Sequence, residues 1–214
     1  MSKEDMAIPQ ADRAVVPAAS SQQAVSPVPA SIPSARWDAH FLEVALANAR
    51  MSKDPSTQVG AVIVGPDREI RSTGFNGFPR GICDTHERLH DRETKLKLIV
   101  HAEMNAILNA ARIGTALKGC TLYLAATDDT GLVWGGPPCT RCTVEAIQSG
   151  IINIVSHPFK SVNSKWADDI AFSRDLLDEA GIGYREFLTA QAIEARRAAT
   201  TGAVHESAVR KDAP

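Results

Sequence analysis

The sequence predicts an α/β fold in which a hairpin is followed by alternating helices and strands and the last two strands run parallel, and three features predict it. Short β-branched apolar runs alternate with segments whose apolar residues recur at helical period. The turn residues Gly65-Pro66-Asp67-Arg68 join the first two extended runs into a hairpin. The last two extended runs are separated by a helical crossover, and a crossover of that length joins parallel strands, because antiparallel neighbours need only a tight turn.

In chain order, residues 1–34 are dominated by Ala, Pro, Ser and Gln. Pro9, Pro17, Pro27, Pro29 and Pro33 are too closely spaced for a helix or a central strand, so a flexible leader is expected there. Trp37, Phe41, Val44, Ala45 and Leu46 mark an amphipathic helix ending near Met51, broken by Asp54-Pro55. Gln58 to Val64 and Glu69 to Phe75 form the hairpin. Ala102 to Arg112 is helical, with Gly114 as its stop, and Thr121 to Ala126 is a buried strand. Cys139 opens a helix that runs to Gly150, and Ile151 to Val155 is extended. Ala167 to Ala180 carries Phe172, Leu176 and Leu177 on one face and leads through Gly181 to a strand over Tyr184 to Leu188. A final helix over Gln191 to Ala199 and a frayed polar tail from Thr200 to Pro214 complete the reading. The domain is therefore placed at residues 35–199.

At 214 residues with 44% hydrophobic content, the chain has the composition of an ordinary soluble globule. A net charge of −2 provides no broad attraction to a nucleic-acid backbone, so a small anionic ligand fits better than a polymer. No apolar run approaches the ~20 residues of a membrane span, and no basic segment followed by an apolar core opens the chain. A cytoplasmic protein with no membrane partner is expected. Four cysteines, two of them in Cys139-x-x-Cys142, suit metal binding in a reducing compartment; a redox dithiol is the alternative.

The motif pair His101-Ala102-Glu103 and Pro138-Cys139-Thr140-Arg141-Cys142 carries the chemistry. One imidazole and two thiolates supply three zinc ligands and leave a fourth tetrahedral position for water; a closed structural site would need another Cys or His beside either motif. Cys139 sits at an expected helix start, where free N–H groups and the helix dipole favour a thiolate. Cys142 lies one turn on, on the same face. Glu103, two residues beyond His101, can share the pocket without ligating and exchange a proton with a metal-activated water. Alone it would read as a first-turn residue complementing the dipole.

From Trp37 to Leu188 the sequence resembles the cytidine/deoxycytidylate deaminases, and within them the deoxycytidylate branch. The resemblance rests on the two zinc motifs, on Asp54-Pro55-Ser56-Thr57-Gln58-Val59-Gly60-Ala61 and on Gly74-Phe75-Asn76-Gly77-Phe78-Pro79. It implies the three-layer cytidine-deaminase-like fold, a five-stranded mixed sheet flanked by helices with the last two strands parallel. It also implies hydrolysis of dCMP to dUMP and ammonia, with one catalytic Zn2+ per chain held by His101, Cys139 and Cys142 and with Glu103 as acid/base. Asn76 matches the family's sugar-contacting Asn, although Asn-Gly is also a turn signal on its own. Gly60 and Ala61, in a strand that looks like the backbone wall beside the base, and Ala102 are further candidates for substrate contact. Family members are often hexamers regulated by dCTP and dTTP, so a homo-oligomer (hexamer or dimer) and nucleotide effectors, with Mg2+, are implied.

A mononucleotide needs a phosphate partner. Arg141, between the zinc cysteines, and Arg80, in the Pro79-Arg80-Gly81 turn, are candidates, each with a solvated surface arginine as the plain alternative. Cys83, His86 and His90 are a possible second, structural zinc set, against a mobile polar loop. Asp128 to Gly136, around Trp134, is longer than the resemblance requires and reads as a lid or a surface insertion. Two rival functions stand beside dCMP deamination. One is the same zinc chemistry on another cytosine or adenine, including tRNA adenosine; the other is a zinc-stabilised binding module without turnover, against which Glu103 argues.

Overall fold

The computed structural model describes residues 35–159 and 166–188. The expected leader over residues 1–34, the helix over Gln191 to Ala199 and the tail from Thr200 lie outside the described residues.

Twelve elements are described: α1 (Ala35–Ala49), β1 (Thr57–Val64), β2 (Ile70–Phe75), α2 (His86–His90), α3 (Arg92–Leu98), α4 (Ala102–Ile113), β3 (Thr121–Asp128), β4 (Val133–Trp134), α5 (Thr140–Gln148), β5 (Asn153–Ser156), α6 (Ala167–Glu179) and β6 (Gly183–Glu186). The sheet runs β2-β1-β3-β5-β6. β1 pairs antiparallel with β2 and β3, whereas β3–β5 and β5–β6 are parallel. The parallel final pair is the one the crossover argument predicts, and the five-strand path is the one the family resemblance implies. A sixth, two-residue strand, β4, is added alongside β3.

Alternation along the strands sorts the core into two faces. Ala61, Ile63, Leu122, Leu124 and Ile154 face α4, α5 and α6 through Ala106, Ala110, Ala146 and Leu177. Val62, Val64, Tyr123, Ala125 and Val155 face α1 through Phe41, Leu42 and Ala45. The result is three layers. One polar network crosses the α1 face: Tyr123 Oη donates to Asp38 Oδ1 at 2.9 Å, and Arg185 of β6 grips the same carboxylate at 2.6 and 3.2 Å. Within this network the buried Tyr123 hydroxyl and both Asp38 carboxylate oxygens have partners, as low dielectric demands.

Two sequence expectations are corrected and a third is given detail. On α6 the buried face is Ser173 and Leu177, while Phe172 is 55% exposed. Ser173 is accommodated there because its Oγ lies 2.6 Å from Thr143 Oγ1 of α5. The Cys83 to His90 segment, whose plain alternative was a mobile polar loop, contains α2, with Thr85 as an N-cap accepting from Arg88 N; α3, which the sequence reading did not predict, follows behind the N-cap Asp91, which accepts from Thr94 N. The 128–136 segment, read as a lid or a surface insertion, has residues 129–133 exposed, while its end is tied to the sheet: Trp134 pairs with Ala126, Gly135 N donates to Pro158 O at 3.0 Å, and Gly136 N donates to Ser156 Oγ at 3.1 Å.

β2 approaches α4 so closely that a Cβ on Gly74 would sit 2.3 Å from Ala102 O and 2.5 Å from Ala106 N. A side chain there would push the first turn of α4 off the sheet, and with it His101. The glycine is thus a condition of the site's geometry.

Candidate active site

His101 and Cys139 are the N-cap residues of α4 and α5, and neither side chain makes a capping hydrogen bond. Both are left free to turn towards each other. His101 Nδ1 lies 3.5 Å from Cys139 Sγ and 3.5 Å from Cys142 Sγ. Ligands at ~2.0–2.1 Å (N) and ~2.3 Å (S) around a tetrahedral zinc stand about 3.5 Å apart, so the donor set fits that ion. Among the described residues these three are the only group of His, Cys, Asp or Glu donors, three or more strong, brought within 4.8 Å of one another.

The scaffold behind them is tied down from α6. Asp169 accepts from Thr140 N–H at 3.0 Å through its carboxylate and from Thr140 Oγ1 at 3.1 Å through its carbonyl, which fixes the first turn of α5 between the two cysteines.

The charges are interdependent. A hydrogen bond from the Cys142 thiol, reinforced by the His101 ring, holds Cys139 down at about 4. The Cys139 sulfur in turn raises His101 to about 9. The same partner, together with burial, pushes the Cys142 thiol up. One negative charge is easily held between the thiols and a second is costly without a cation. Glu103, in the first turn of α4, is buried, and desolvation raises its carboxyl above the usual range. A carboxyl whose charged form is disfavoured by burial in a dry site can both take and return a proton.

These groups open onto a cavity of about 560 Å³, whose wall includes His101, Ala102, Glu103, Cys139, Asn76 and Val59. Asn76 is buried at the end of β2 and clamps β1: its Oδ1 accepts from Val59 N–H at 2.8 Å, and its Nδ2 donates to Thr57 O at 2.9 Å. One lone pair and one N–H of the amide are left over; Asn76-Gly77 is not a turn, since Gly77 continues into an antiparallel bridge with Val100.

Several sequence candidates fall elsewhere. Gly60 and Ala61 are buried in the core and do not line the cavity; Val59 does. A Cβ on Gly60 would lie 1.9 Å from Ala45 O, so this glycine admits α1 rather than a ligand. Arg141 is on the outer face of α5, its side chain 83% exposed and paired with Glu145 at 2.6 Å. Arg80 is exposed and donates to Asn109 Oδ1 at 2.6 Å. Neither arginine lines the cavity. Cys83, His86 and His90 do not converge as a metal set: the histidine rings stack at 3.8 Å, and His90 Nδ1 lies 2.8 Å from His86 O.

The sequence reading missed the cavity wall supplied by α2 and α3, which includes Leu89, Arg92, Lys95 and Ile99. The spacing of three to four residues from Arg92 to Lys95 to Ile99, behind the N-cap Asp91, was the available signal. Trp134 and Phe159 also line the cavity, their rings 6.3 Å apart.

A three-layer mixed sheet with an imidazole and two thiols at paired helix starts, beside a buried carboxyl outside the donor set, defines the class of zinc-binding deaminase scaffolds. Residues 35–157 match the family model described as the cytidine and deoxycytidylate deaminase zinc-binding region. Human deoxycytidylate deaminase is 35% identical over 159 residues, covering 71% of this chain and 80% of the human protein. An uncharacterized deaminase in the luxG 3′ region of Aliivibrio fischeri is 36% identical over 148 residues, covering 69% of this chain and 90% of that one. Among solved structures, the dCMP deaminase of cyanophage S-TIM5 in complex with dCMP and dUMP superposes with a TM-score of 0.54 at 19% identity, over 71% of this chain and 96% of that chain, and so shares the fold. The chain belongs to the cytidine and deoxycytidylate deaminase family.

Proposed function

We propose that the protein hydrolyses dCMP to dUMP and ammonia. The observation that carries the reading is the pair of 3.5 Å separations from His101 Nδ1 to the two cysteine sulfurs, beside the buried Glu103. The names of relatives about 35% identical, human deoxycytidylate deaminase among them, support dCMP as the substrate.

In this reading His101, Cys139 and Cys142 hold zinc, which when bound supplies a Lewis acid that makes water a nucleophile near neutral pH. Glu103 accepts a proton from that water and delivers it to N3 of the pyrimidine as C4 is attacked. The same carboxylate then carries a proton to the departing amine, so that water is consumed and ammonia released. Asn76, fixed by its two bonds to β1, offers its remaining lone pair and N–H to the sugar. Val59 and the first turn of α4 at Ala102 flank the base.

The test is a substrate panel: the zinc-loaded protein is given dCMP, dCTP, deoxycytidine, cytosine and a tRNA substrate, and ammonia release is measured. Turnover concentrated on dCMP supports the reading. Preference for the free base or for tRNA would transfer it to another branch of the family, and no turnover on any of them would leave a binding module.

A further inference from the structure

A helix start is ordinarily capped by the side chain of its own N-cap residue, whose oxygen accepts from the free N–H groups of the first turn. Cys139 occupies that place on α5. Its backbone is extended and its carbonyl accepts from Thr143 N–H at 2.9 Å, but its side chain makes no capping hydrogen bond. The thiol is turned to His101 instead, 3.5 Å from Nδ1. A side chain that serves as a ligand cannot also serve as the cap.

The missing cap comes from α6. Asp169 Oδ2 accepts from Thr140 N–H, the first of the helix, at 3.0 Å, and Thr140 Oγ1 donates back to Asp169 O at 3.1 Å. One turn deeper along the same seam, Thr143 Oγ1 lies 2.6 Å from Ser173 Oγ, with both residues fully buried. Thr140 follows Cys139 and Thr143 follows Cys142, so each cysteine is succeeded in the chain by a residue tied to α6. The two ties are not equivalent. Thr143 Oγ1 also reaches Pro138 O at 3.4 Å, whereas Thr140 N–H lies where a helix offers no acceptor of its own. Ile170, next to Asp169 in α6, lines the cavity, so the turn that bears the cap is also part of the wall. A metal ligand has to be held within about 0.5 Å of its productive place, and Asp169 grips the residue one peptide bond from Cys139.

We propose that Asp169 is a positioning residue of the metal centre, capping α5 from another helix so that Cys139 is free to ligate. The proposal rests on the reading of His101, Cys139 and Cys142 as zinc ligands, and its readouts do not depend on turnover. Zinc-loaded full-length protein is compared as wild type, Asp169→Ala, Asp169→Asn and Leu177→Ala. Asp169 is half-buried in the first turn of α6, so alanine suits the helix and takes nothing from the core. Asparagine keeps an oxygen that accepts from Thr140 N–H. Leu177→Ala loosens the packing of α6 without touching the cap. Zinc affinity is measured by chelator competition and global stability by urea, and the cobalt-substituted forms are read by their thiolate-to-cobalt absorption.

Asp169→Ala is expected to bind zinc about 10- to 100-fold more weakly than the wild type, with an altered cobalt absorption. Asp169→Asn should stay within about threefold of the wild type, its neutral oxygen making the weaker form of the same bond. Leu177→Ala should keep its zinc affinity within about twofold although its urea midpoint falls. Wild-type affinity and absorption in Asp169→Ala overturn the proposal. So does an asparagine variant as weak as the alanine one, which would make charge rather than capping the cause. A Leu177→Ala protein that loses as much zinc affinity as Asp169→Ala also overturns it, because any loosening of α6 would then suffice. A wild type that holds zinc yet releases no ammonia from dCMP defeats the catalytic reading and leaves the proposal standing, whereas a wild type that binds no zinc defeats both.

Discussion

His101 Nδ1 stands 3.5 Å from Cys139 Sγ, although 38 residues separate them in the chain. The first turns of α4 and α5 bring them together, and those turns are held by the close approach of β2 at Gly74 and by Asp169 on α6. The relationship makes zinc affinity a pH-dependent quantity with a definite sign.

His101 is raised to about 9 and Cys142 is pushed up, so near neutral pH both carry protons in the metal-free site, while Cys139, at about 4, does not. Zinc must displace those protons, and loading should release about two per ion. Affinity should therefore rise as pH increases from about 6 towards 9 and weaken on acidification. Chelator competition at several pH values, with proton release followed in weak buffer, checks this; an affinity independent of pH would contradict it.

Arg141 and Arg80 should matter little to the nucleotide. Their side chains lie on the surface, and an exposed i,i+4 pair such as Arg141–Glu145 contributes about 0.3–0.5 kcal/mol. Arg141→Ala and Arg80→Ala are each expected to change KM for dCMP by less than about twofold. A tenfold rise specific to the nucleotide in either variant would place the phosphate beside that arginine.

Gly60→Ala should cost about 1–3 kcal/mol or more, because the new methyl meets the backbone of α1 at Ala45 and Ala49, which cannot swing aside as a side chain would. Urea denaturation reads the loss directly. A variant as stable as the wild type would show that α1 shifts freely, contrary to the packing described.

On α6, Leu177→Ala is expected to destabilise by about 2–5 kcal/mol, against about 0.5 kcal/mol or less for Phe172→Ala. The contrast follows from full burial of Leu177 and 55% exposure of Phe172. Equal effects, judged by the same denaturation curves, would mean that the aromatic is covered.

What the sequence made legible was whatever depends on spacing alone. His101, Glu103, Cys139 and Cys142 could be placed because offsets of two and three residues at a helix start fix direction. The same geometry, about 100° per residue, turns Arg141 away from both cysteines, and the sequence reading overlooked that consequence. Gly60 was visible as part of a strand, but its function depends on how near α1 comes, which no local pattern states. The cavity wall built by α2 and α3 was hidden for another reason. α2 and α3 are short and densely charged, so their apolar residues Leu89, Leu96 and Ile99 stand out as a face only against the cavity they line. Phe172 misled because an aromatic at helical spacing reads as core, whereas Ser173 is buried through its bond to Thr143.

The most direct measurement compares ammonia release from dCMP by wild-type protein and Glu103→Gln, with the zinc content of each determined in the same samples. The expected result is turnover by the wild type and a loss of about 10²-fold or more in the variant, both carrying the same complement of zinc. A variant that turns over normally, or that is inactive only because its zinc is gone, would contradict the assignment of Glu103 as the proton carrier of a hydrolytic deaminase.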